Sequence, residues 1–560
     1  MIDAKYIQEL LIECAGLQPQ DVQVVEMPVD STLGDYSYPV FRLSKSLRQP
    51  PSDIAKDIAS KIHDASLSQV VAVGGYVNFY LDRDKFVQDA LGSIDMSNKT
   101  IGKGKTICID YSSINIAKPF HIGHLSSTVI GGSLYKMYQY LGYNVVGINH
   151  LGDWGTQFGK LVYAYLQWGD RRDVQERGIQ SLLELYVKFH TLAEQDPQLD
   201  NYGREWFRKI EQGDKQATEL FEWFKEITLN EVNKTYDQLG VKFDSYAGES
   251  FFNDKIPPVV QELRDKGLLQ ESKGAMVVEL SPSESPVLIL RSDGASLYIT
   301  RDLAAAIYRK QTYDFDKCIY VVAYQQNLHF KQLFGTLYKM GYEWASDCVH
   351  VAFGMVSLKD GTLSTRKGQV VFLDKVLQDA VSKAYKTIES KNPNLPSKHR
   401  VAEMVGVGAV VFGALSSGRI KDVVFDIDKA LEFEGETGPY LQYTYARCCS
   451  ILRKSTSKSV ESLQSTAIQH DNVDLDTFEL VKLLSRFDET VVLAVDKFEP
   501  SILARLMLDI AQAFNKFYIS NHILGAEQEV ARARLQVVQS TSVIISKGLE
   551  LLLLQAPEEM

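Results

Sequence analysis

Residues 110–124 read DYSSINIAKPFHIGH, and the chain continues as LSSTVIGGSLYKMYQYLG over 125–142. An apolar, strand-like stretch, KTICIDYS (105–112), leads into this turn, and a second one, beginning NVVGI, follows at 144. A strand, helix, strand unit of this size requires parallel pairing through a right-handed crossover. The sequence therefore predicts an α/β fold with a parallel sheet, and it puts the quoted turn at the carboxyl end of the first strand.

The sheet pattern returns later, in LYITRDLAAAIYRKQ (297–311), KCIYVVAYQ (317–325) and CVHVAFGMV (348–356). Residues 171 to about 285 are charged and helical in pattern, which indicates an insertion between two halves of one sheet. After DGTLSTRKGQ (360–369) the pattern is almost entirely helical.

The first hundred residues mix helix and strand, which indicates a separate α+β module. RQPPSDIAKDIASKIHD (48–64) predicts a helix capped by Ser52 or Asp53, and VVAVGGYVNFYL (70–81) alternates as a strand.

Length, cysteines and charge restrict the class of protein. At 560 residues the chain is long enough for three or four domains. Six cysteines without CxxC spacing indicate a reduced, cytoplasmic protein with no disulfide framework and no zinc site. The net charge of −11 argues mildly against nucleic acid, but residues 361–460 hold fifteen Lys and Arg against ten Asp and Glu. Solvated helix faces would give the same local excess.

No membrane or targeting segment is expected. The acidic, amphipathic start MIDAKYIQELLIEC fits neither a signal peptide nor a transit peptide. The most apolar run, MVGVGAVVFGALSSG (404–418), is too short to span a bilayer and is interpreted as a buried helix.

The quoted turn carries the candidate chemistry. In an open parallel sheet, ligands bind beyond the carboxyl ends of the strands, where helix N-termini point N–H groups outward. His121 and His124 can both reach one anion there, Gly123 allows close backbone approach, and Lys118 adds a full charge. The competing interpretation is that the two histidines only cap the helix or pack.

A second basic segment supports a nucleotide site. Residues 361–368, GTLSTRKG, bring hydroxyls and two adjacent cations between glycines, a composition suited to closing on a polyphosphate. Neither GxxxxGK[ST] nor GxGxxG occurs, so the hypothesis depends on the histidine turn and the basic loop together.

Several motifs in order resemble a known family. HIGH (121–124) after NIAKPF is followed by GDWGTQFGK (152–160), LYITRD (297–302), YQQNLH (324–329), LSTRKG (363–368), TGPYLQYTYAR (437–447) and a final APEEM. Across essentially the whole chain this set resembles class I arginyl-tRNA synthetase.

The resemblance implies a fold and a domain order. It implies a Rossmann-like parallel-sheet catalytic domain between an N-terminal α+β module and a C-terminal all-helical anticodon-binding domain. The predicted limits are 1–105 for the tRNA-contacting module, 106–370 for the catalytic domain with its helical insertion at about 171–285, 371–431 for a helical connection, and 432–560 for the anticodon-binding domain.

It also implies an activity, partners and a set of site residues. L-arginine would react with ATP to give arginyl-adenylate, and the arginyl group would pass to the 2′-hydroxyl of the terminal adenosine of tRNA-Arg. Magnesium is expected only with ATP, no dedicated metal site is predicted, and a monomer is implied.

The catalytic residues would be Lys118, His121, His124, Ser364, Arg366 and Lys367. ATP would contact His121, Gly123, His124, His329 and Ser364.

The substrate side chain demands carboxylate acceptors in a site that rejects lysine. The resemblance assigns Asp110 and Asp302 to the guanidinium, with Tyr298 flanking it if LYITRD opens a helix. Asn115 and Gln326 would hold the polar end of the amino acid. Without the resemblance, an N-cap role for Asp302 and a core position for Tyr298 are the simpler interpretations.

Some positions depart from the class pattern. Thr362 and Thr365 stand where class I loops carry lysines, and Lys118 resembles the lysine that supplies the missing charge. Ile114 stands where proline is common, which should loosen the turn, and Ser126 replaces a frequent arginine.

The C-terminal region predicts RNA contacts, and other functions remain open. Aromatic and cationic side chains can stack on anticodon bases and meet phosphates; the candidates are Tyr440, Tyr443, Tyr445, Arg447 and Met560. Core packing is the alternative for each tyrosine. A synthetase-like RNA-binding protein, or an adenylate-forming paralogue that does not charge tRNA, is the alternative function.

Overall fold

The computed structural model describes residues 3–22, 24–28, 30–118, 120–358, 372–455 and 473–560. Ser364, Arg366 and Lys367 of the basic loop, and Thr362 and Thr365 beside them, therefore lie outside the described residues. The chain forms two compact units. One contains Met1–Met96, Arg447–Asp488 and Asp509–Ile545, and the other contains Ser97–Ala446, Glu489–Leu508 and Ser546–Met560.

The smaller unit opens with an α+β segment. Its elements are α1 (Ala4–Glu13), a 3-10 helix (Ser31–Leu33), β1 (Tyr36–Pro39), α2 (Phe41–Leu47), α3 (Pro51–Lys61), β2 (Leu67–Val73), β3 (Tyr76–Leu81) and α4 (Arg83–Gly92). The strands form an antiparallel sheet in the order β1-β3-β2.

Two local predictions in this segment differ from the structure. The stretch 70–81, expected as one strand, is a hairpin, because Gly74 adopts a φ of 58° and turns the chain between β2 and β3. Helix α3 begins at Pro51 with no side-chain cap, so Ser52 and Asp53 lie in its first turn. Proline at this position presets the helical φ and has no N–H to satisfy.

The larger unit contains the predicted parallel sheet. Its elements run β4 (Thr106–Asp110), α5 (Ile122–Tyr140), β5 (Asn144–Ile148), α6 (Thr156–Trp168), α7 (Arg171–Arg177), α8 (Ile179–Ala193), α9 (Gln198–Glu211), α10 (Lys215–Leu239), a 3-10 helix (Glu249–Lys255), α11 (Ile256–Asp265), β6 (Leu269–Ser272), β7 (Ala275–Val278), β8 (Val287–Leu290), α12 (Tyr298–Tyr313), β9 (Lys317–Ala323), a 3-10 helix (Tyr324–Gln326), α13 (Asn327–Lys339), a 3-10 helix (Glu343–Asp347), β10 (Cys348–Phe353), β11 (Val356–Leu358), α14 (Leu373–Lys391), α15 (Lys398–Leu415), β12 (Val423–Phe425) and α16 (Ile427–Ala430).

Four parallel strands form the sheet, in the order β10-β9-β4-β5. The strands from before and after the insertion therefore pair directly, β4 with β9, as the sequence predicts. Cys108, Cys318 and Cys348 are register partners on three neighbouring strands, and all three are free thiols buried in the core.

The insertion is helical only to residue 265. From residue 269 the chain forms the antiparallel sheet β6-β7-β8, which differs from the predicted all-helical segment. The short apolar runs AMVV and VLIL suit a pleated, half-buried surface, whereas the many charges around them suggested helix.

The C-terminal part is helical. It contains α17 (Gly438–Lys454), α18 (Leu475–Ser485), α19 (Phe487–Asp496), α20 (Ser501–Ser520) and α21 (Gln528–Leu551). The apolar run 404–418 falls largely in α15, where residues 405–412 are all buried, as predicted. Within the described ranges, no helix is long and apolar enough to cross a membrane.

Candidate active site

The turn between β4 and α5 holds a strained backbone. Ser112, Ser113 and Ala117 have φ values of 70°, 48° and 57°, a region that residues with a side chain rarely adopt. Each such residue costs about 1 kcal/mol or more and persists only where its surroundings enforce it.

Hydrogen bonds from several elements enforce this turn. The Ser112 N–H donates to Ser127 Oγ of α5 (2.9 Å), and the Ser112 hydroxyl is bonded to the Tyr236 hydroxyl of α10 (2.7 Å). The Ala117 N–H donates to Thr228 Oγ1, also of α10 (3.0 Å). The helical insertion therefore helps to hold the turn.

The two histidines cap α5. The His121 N–H donates to His124 Nδ1 (3.2 Å) and the Gly123 N–H donates to His121 Nδ1 (3.1 Å), which forms a reciprocal capping box. Because each Nδ1 accepts, each neutral ring carries its proton on Nε2. The two histidines therefore do cap the helix, and an Nε2–H donor is left on both rings.

Burial keeps both rings neutral. Burial lowers the pKa of His121, and the charge of Lys118 lowers it further. Burial lowers the pKa of His124 to about 3, and His121 and Lys118 add to the effect. The structure therefore brings Lys118, His121 and His124 within electrostatic reach of one another.

The histidine turn is attached to the start of α14. His121 forms an antiparallel bridge with Phe372, and the Leu373 N–H donates to the Phe120 carbonyl (2.9 Å). Phe372 is the first described residue after the basic loop, so the described chain resumes beside the turn.

A cavity of about 420 Å³ opens at the carboxyl end of the parallel sheet. It collects all the residues predicted for the amino acid, together with one predicted for ATP: Asp110, Asn115, Tyr298, Asp302, Gln326 and His329. These residues come from β4, the strained turn, α12 and the segment after β9, which the sheet order brings together.

Asp302 is held by two histidines. Its Oδ2 is 2.7 Å from His329 Nε2, and its Oδ1 is 3.9 Å from His150 Nε2. Burial alone raises the pKa of Asp302, but the hydrogen bond with His329 and the nearby positive groups bring that pKa below its ordinary value. The carboxylate is therefore ionised and faces the cavity.

Asp110 also lines this cavity, but its negative charge is already paired with a cationic side chain of the protein. Its Oδ2 pairs with Arg309 at 2.7 Å, and its Oδ1 accepts from the Ser113 hydroxyl at 2.8 Å. Direct contact between Asp110 and a substrate guanidinium stays a prediction, but this geometry gives it a second task, that of orienting Ser113 and Arg309.

Glu249 is an acid that the sequence interpretation missed. It begins the 3-10 helix of the insertion and lines the cavity, and the one ion pair it forms within the described residues is with Arg301, at 4.0 Å. Burial raises the pKa of Glu249 to about 7; Arg301 opposes this, and Asp302 and Asp153 add to it. No local sequence motif marks Glu249, because it reaches the site only through the fold of the insertion.

A fully buried carboxylate positions Glu249. Asp153 accepts from the Ser250 N–H (2.8 Å), the Ser250 hydroxyl (2.7 Å) and the Lys225 ammonium (2.7 Å). The Glu249 N–H donates to the Leu151 carbonyl (2.9 Å). The GDWG segment therefore fixes the backbone on both sides of the Glu249 side chain.

Asn115 depends on a neighbouring glycine. It bridges to Gly152, and a Cβ at position 152 would lie 2.1 Å from Asn115 Oδ1. Only glycine allows the GDWG segment to approach the turn this closely.

The simpler interpretations of the LYITRD motif do not hold. Helix α12 begins at Tyr298, a residue that is 69% exposed, so Tyr298 is not a core residue. Asp302 is the fifth residue of that helix and Leu297 is its N-cap. Tyr298 and Asp302 line the same cavity, as a helix beginning at LYITRD predicts.

The departures at Ile114 and Ser126 lie in packed surroundings. Ile114 is 2% exposed, and its carbonyl accepts from the Gly152 N–H (2.8 Å). Ser126 is 5% exposed within α5. The expected loosening of the turn by Ile114 stays a prediction.

The predicted RNA contacts lie on α17 and at Met560. Tyr443 is exposed, and Tyr440 and Tyr445 are half-buried. The guanidinium of Arg447 donates to Asn515 (2.7 Å) and lies 5.2 Å from the ring centroid of Tyr518. Met560 packs against a core shared by α14 and α15, and its carbonyl accepts from Asn392.

Comparison with known families decides the identity of this site. Residues 86–427, more than half of the chain, match the family of class I tRNA synthetases (R), catalytic domain. The chain belongs to the class I arginyl-tRNA synthetase family. Residues 4–81 match the arginyl-tRNA synthetase N-terminal domain, and residues 441–560 match the DALR anticodon-binding domain.

Relatives of the arginyl-tRNA synthetase family cover the full chain. The chain is 48% identical to the "Arginine--tRNA ligase" of Halothermothrix orenii, with all of both chains covered. It is 47% identical to that of Clostridioides difficile, with 96% of this chain and 95% of the relative covered.

Solved arginyl-tRNA synthetases share the fold. The structure from Thermus thermophilus matches with a TM-score of 0.84 at 24% identity and covers all of both chains. The structure from Plasmodium falciparum matches with a TM-score of 0.81 at 23% identity over 100% of this chain and 99% of that one.

Proposed function

We propose that this chain ligates L-arginine to tRNA-Arg. The arginine carboxylate attacks the α-phosphorus of ATP, which forms arginyl-adenylate and releases pyrophosphate. The 2′-hydroxyl of the terminal adenosine of tRNA then takes the arginyl group, and AMP leaves. The cavity that combines Glu249, Asp302 and Tyr298 is the observation that carries this proposal, because it offers acidic acceptors to a cationic side chain.

Glu249 and Asp302 are the proposed acceptors of the guanidinium. A planar guanidinium presents five N–H donors and can satisfy two carboxylates, whereas the ammonium of lysine is a compact point charge. Tyr298, exposed at the cavity, would flank the guanidinium plane. Asn115 and Gln326 would hold the α-amino and carboxylate groups.

His121, His124 and Lys118 are proposed to stabilise the activation step. Negative charge spreads over the phosphoryl oxygens in the transition state, so fixed donors there lower the barrier. Neutral imidazoles with Nε2–H groups are suitable donors, and Lys118 supplies the full charge. No protein nucleophile takes part, because the substrate carboxylate itself attacks.

The other predicted ATP contacts belong to the same proposal. Gly123 would let the nucleotide approach the backbone of α5. His329 would reach ATP while its hydrogen bond keeps Asp302 ionised. Ser364, Arg366 and Lys367 would close on the phosphates from the loop that precedes Phe372.

Magnesium enters as the counter-ion of ATP. The described part of the chain contains no group of three or more His, Cys, Asp or Glu that could hold a metal ion. The phosphates of ATP would therefore provide the main ligands.

The RNA contacts and the setting of the enzyme extend the proposal. Residues 1–105 would contact tRNA, and Tyr440, Tyr443, Tyr445, Arg447 and Met560 would meet the anticodon stem-loop. We also propose a monomer in the cytoplasm. The six free cysteines support a reducing compartment.

Arginine-dependent exchange of pyrophosphate into ATP tests the activity, with and without tRNA-Arg. Exchange with arginine, absent with lysine, is expected, and it should require tRNA. Lys118→Ala should reduce exchange by at least about a hundredfold, whereas Lys215→Ala, at an 89% exposed side chain, should leave it unchanged. Absence of arginine-dependent exchange under either condition would overturn the catalytic assignment and favour an RNA-binding function.

A further inference from the structure

A second cavity of about 300 Å³ lies in the larger unit, outside the active site. Its walls come from the second half of α5, the segment 240–242 after α10, and the end of α21. Lys136 lies 14 residues after Ile122, the first residue of α5, which places it about 21 Å along the helix from the turn that the histidines cap.

Three lysines dominate the charge of this cavity: Lys136, Lys242 and Lys547. Lys547 pairs with Glu550, the one acid in the lining, at 2.7 Å. Across the described ranges, the ammonium groups of Lys136 and Lys242 form no ion pair and no hydrogen bond. The lining therefore carries a net charge of +2, from three lysines and one glutamate.

The lysines crowd one another. Burial lowers the pKa of Lys136, and Lys242 and Lys547 lower it further against the opposing effect of Glu550. Clustered like charges around a partly desolvated ammonium destabilise the folded protein, and a bound anion removes that cost.

The remaining lining suits a small polar ligand. Asn98 and Gln139 offer neutral hydrogen-bonding groups beside the lysines, whereas the Tyr135 hydroxyl donates to Asp244 at 3.2 Å. The volume lies at the lower end of the range for small-molecule sites. An RNA backbone is instead met by an extended stripe of cations on an open surface.

We propose that this cavity binds the phosphate dianion of a small phosphorylated molecule. Lys136 and Lys242 supply the two charges that lie outside the Lys547–Glu550 ion pair, and Lys547 adds a third contact from α21. The site is independent of the proposed ligase activity, because none of its residues lines the active-site cavity.

Phosphate binding to the full-length protein tests this inference. Inorganic phosphate is titrated by calorimetry while the active site is saturated with a non-hydrolysable arginyl-sulfamoyl adenosine. One saturable phosphate per chain is expected, weakened about tenfold or more in Lys136→Met and in Lys242→Met. Lys215→Met, a control on an exposed helix surface, should bind phosphate like the unsubstituted chain, and thermal unfolding verifies that each variant is folded.

Two results would overturn the proposal. One is the absence of saturable phosphate binding, or binding that neither lysine substitution weakens. The other is displacement of phosphate by uncharged tRNA, with tRNA affinity reduced in both variants, which would assign the lysines to RNA. A crystal soaked in tungstate gives an independent readout, since anomalous density between the three ammonium groups supports the site and density only elsewhere contradicts it.

Discussion

The histidines of the 121–124 turn use their two ring nitrogens for different tasks. Each Nδ1 accepts a backbone N–H and caps α5, and this fixes the proton on Nε2. Structural and catalytic contributions of these residues are therefore separable by substitution.

Asparagine at position 121 separates them. Asn retains an N-cap acceptor but has no donor where Nε2–H stands, whereas Ala loses both. His121→Asn should keep the thermal stability of the protein and lose about a hundredfold or more in the exchange rate. His121→Ala should lose the same activity and about 1 kcal/mol of stability as well.

Unfolding in urea and pyrophosphate exchange measure the two effects. Full exchange activity in His121→Asn would show that the ring serves only as a cap.

Glu249 links substrate binding to pH. With a pKa of about 7, raised mainly by burial, it is protonated in half of the free molecules near neutrality. The protonated form attracts a guanidinium less, so affinity for arginine should fall as pH drops below 7 and level off above it. Because one proton is involved, kcat/KM for arginine should fall by at most about tenfold for each pH unit below 7.

The substitution Glu249→Gln should lower affinity at high pH and remove this acid limb. Burial lowers the pKa of both histidines of the turn, that of His124 to about 3, so both take up protons at lower pH than Glu249 does. An unchanged pH profile in Glu249→Gln would exclude Glu249 as the titrating group.

Helix α10 is the element that gives the insertion a role. It contributes Thr228 and Tyr236 to the strained turn and Lys225 to the carboxylate that positions Glu249. The composition of the insertion does not indicate a function. The structure nevertheless shows that its helix α10 supports both the strained turn and the segment that carries Glu249.

A pair of threonine substitutions on α10 tests this support. Thr228→Val leaves the buried Ala117 N–H without an acceptor and should cost about 1–3 kcal/mol of folding free energy, together with a lower kcat. Thr218→Val on the same helix is the control, because the Thr218 hydroxyl has no hydrogen-bond partner among the described residues. Equal effects of the two substitutions on stability and kcat would contradict the supporting role.

The sequence predicts the elements whose pattern is local. The strands β4, β5, β9 and β10 and helix α5 follow from apolar runs and periodicity, and the cavity collects all five residues assigned to the amino acid. The sequence does not predict the hairpin at Gly74 or the sheet β6-β7-β8, because short apolar runs do not determine how strands pair.

The sequence also does not predict a place in the active site for Glu249, His150 or Arg309, for a different reason. Glu249 enters the site only through tertiary packing, so no spacing along the chain marks it. His150 follows β5, and Arg309 lies two turns after Asp302 on α12, but neither belongs to a motif that indicates a role. The pairing of Asp110 with Arg309 likewise depends on α12 lying against β4, which a pattern of residues does not specify.

At the scale of the whole molecule, the smaller unit joins distant parts of the chain. Lys482 on α18 pairs with Asp35 at 2.6 Å, and both side chains are largely buried. Phe478 of the same helix packs edge-on against Phe86 of α4, with ring centroids 5.4 Å apart. The N-terminal segment, expected as a separate module, therefore shares a core with C-terminal residues.

Removing the Lys482 charge tests this shared core. Lys482→Met leaves the half-desolvated Asp35 carboxylate without its cation and should destabilise the smaller unit by about 1–3 kcal/mol. Lys61→Met breaks an exposed pair with Asp57 in the same unit and should cost less than about 0.5 kcal/mol. Hydrogen exchange of β1 to β3 reports the local stability, and equal protection in both variants would contradict the prediction.

The pairing of Asp35 with Lys482 also determines when, during synthesis, the core of the smaller unit can be completed. The two residues are 447 positions apart, so at about 5–20 residues per second a ribosome needs roughly 20–90 s to deliver the second after the first. During that interval Phe86 and the other surfaces that α18 covers are exposed to solvent on the nascent chain. This segment is thus synthesised before α18 but completes its core only after α18 has followed.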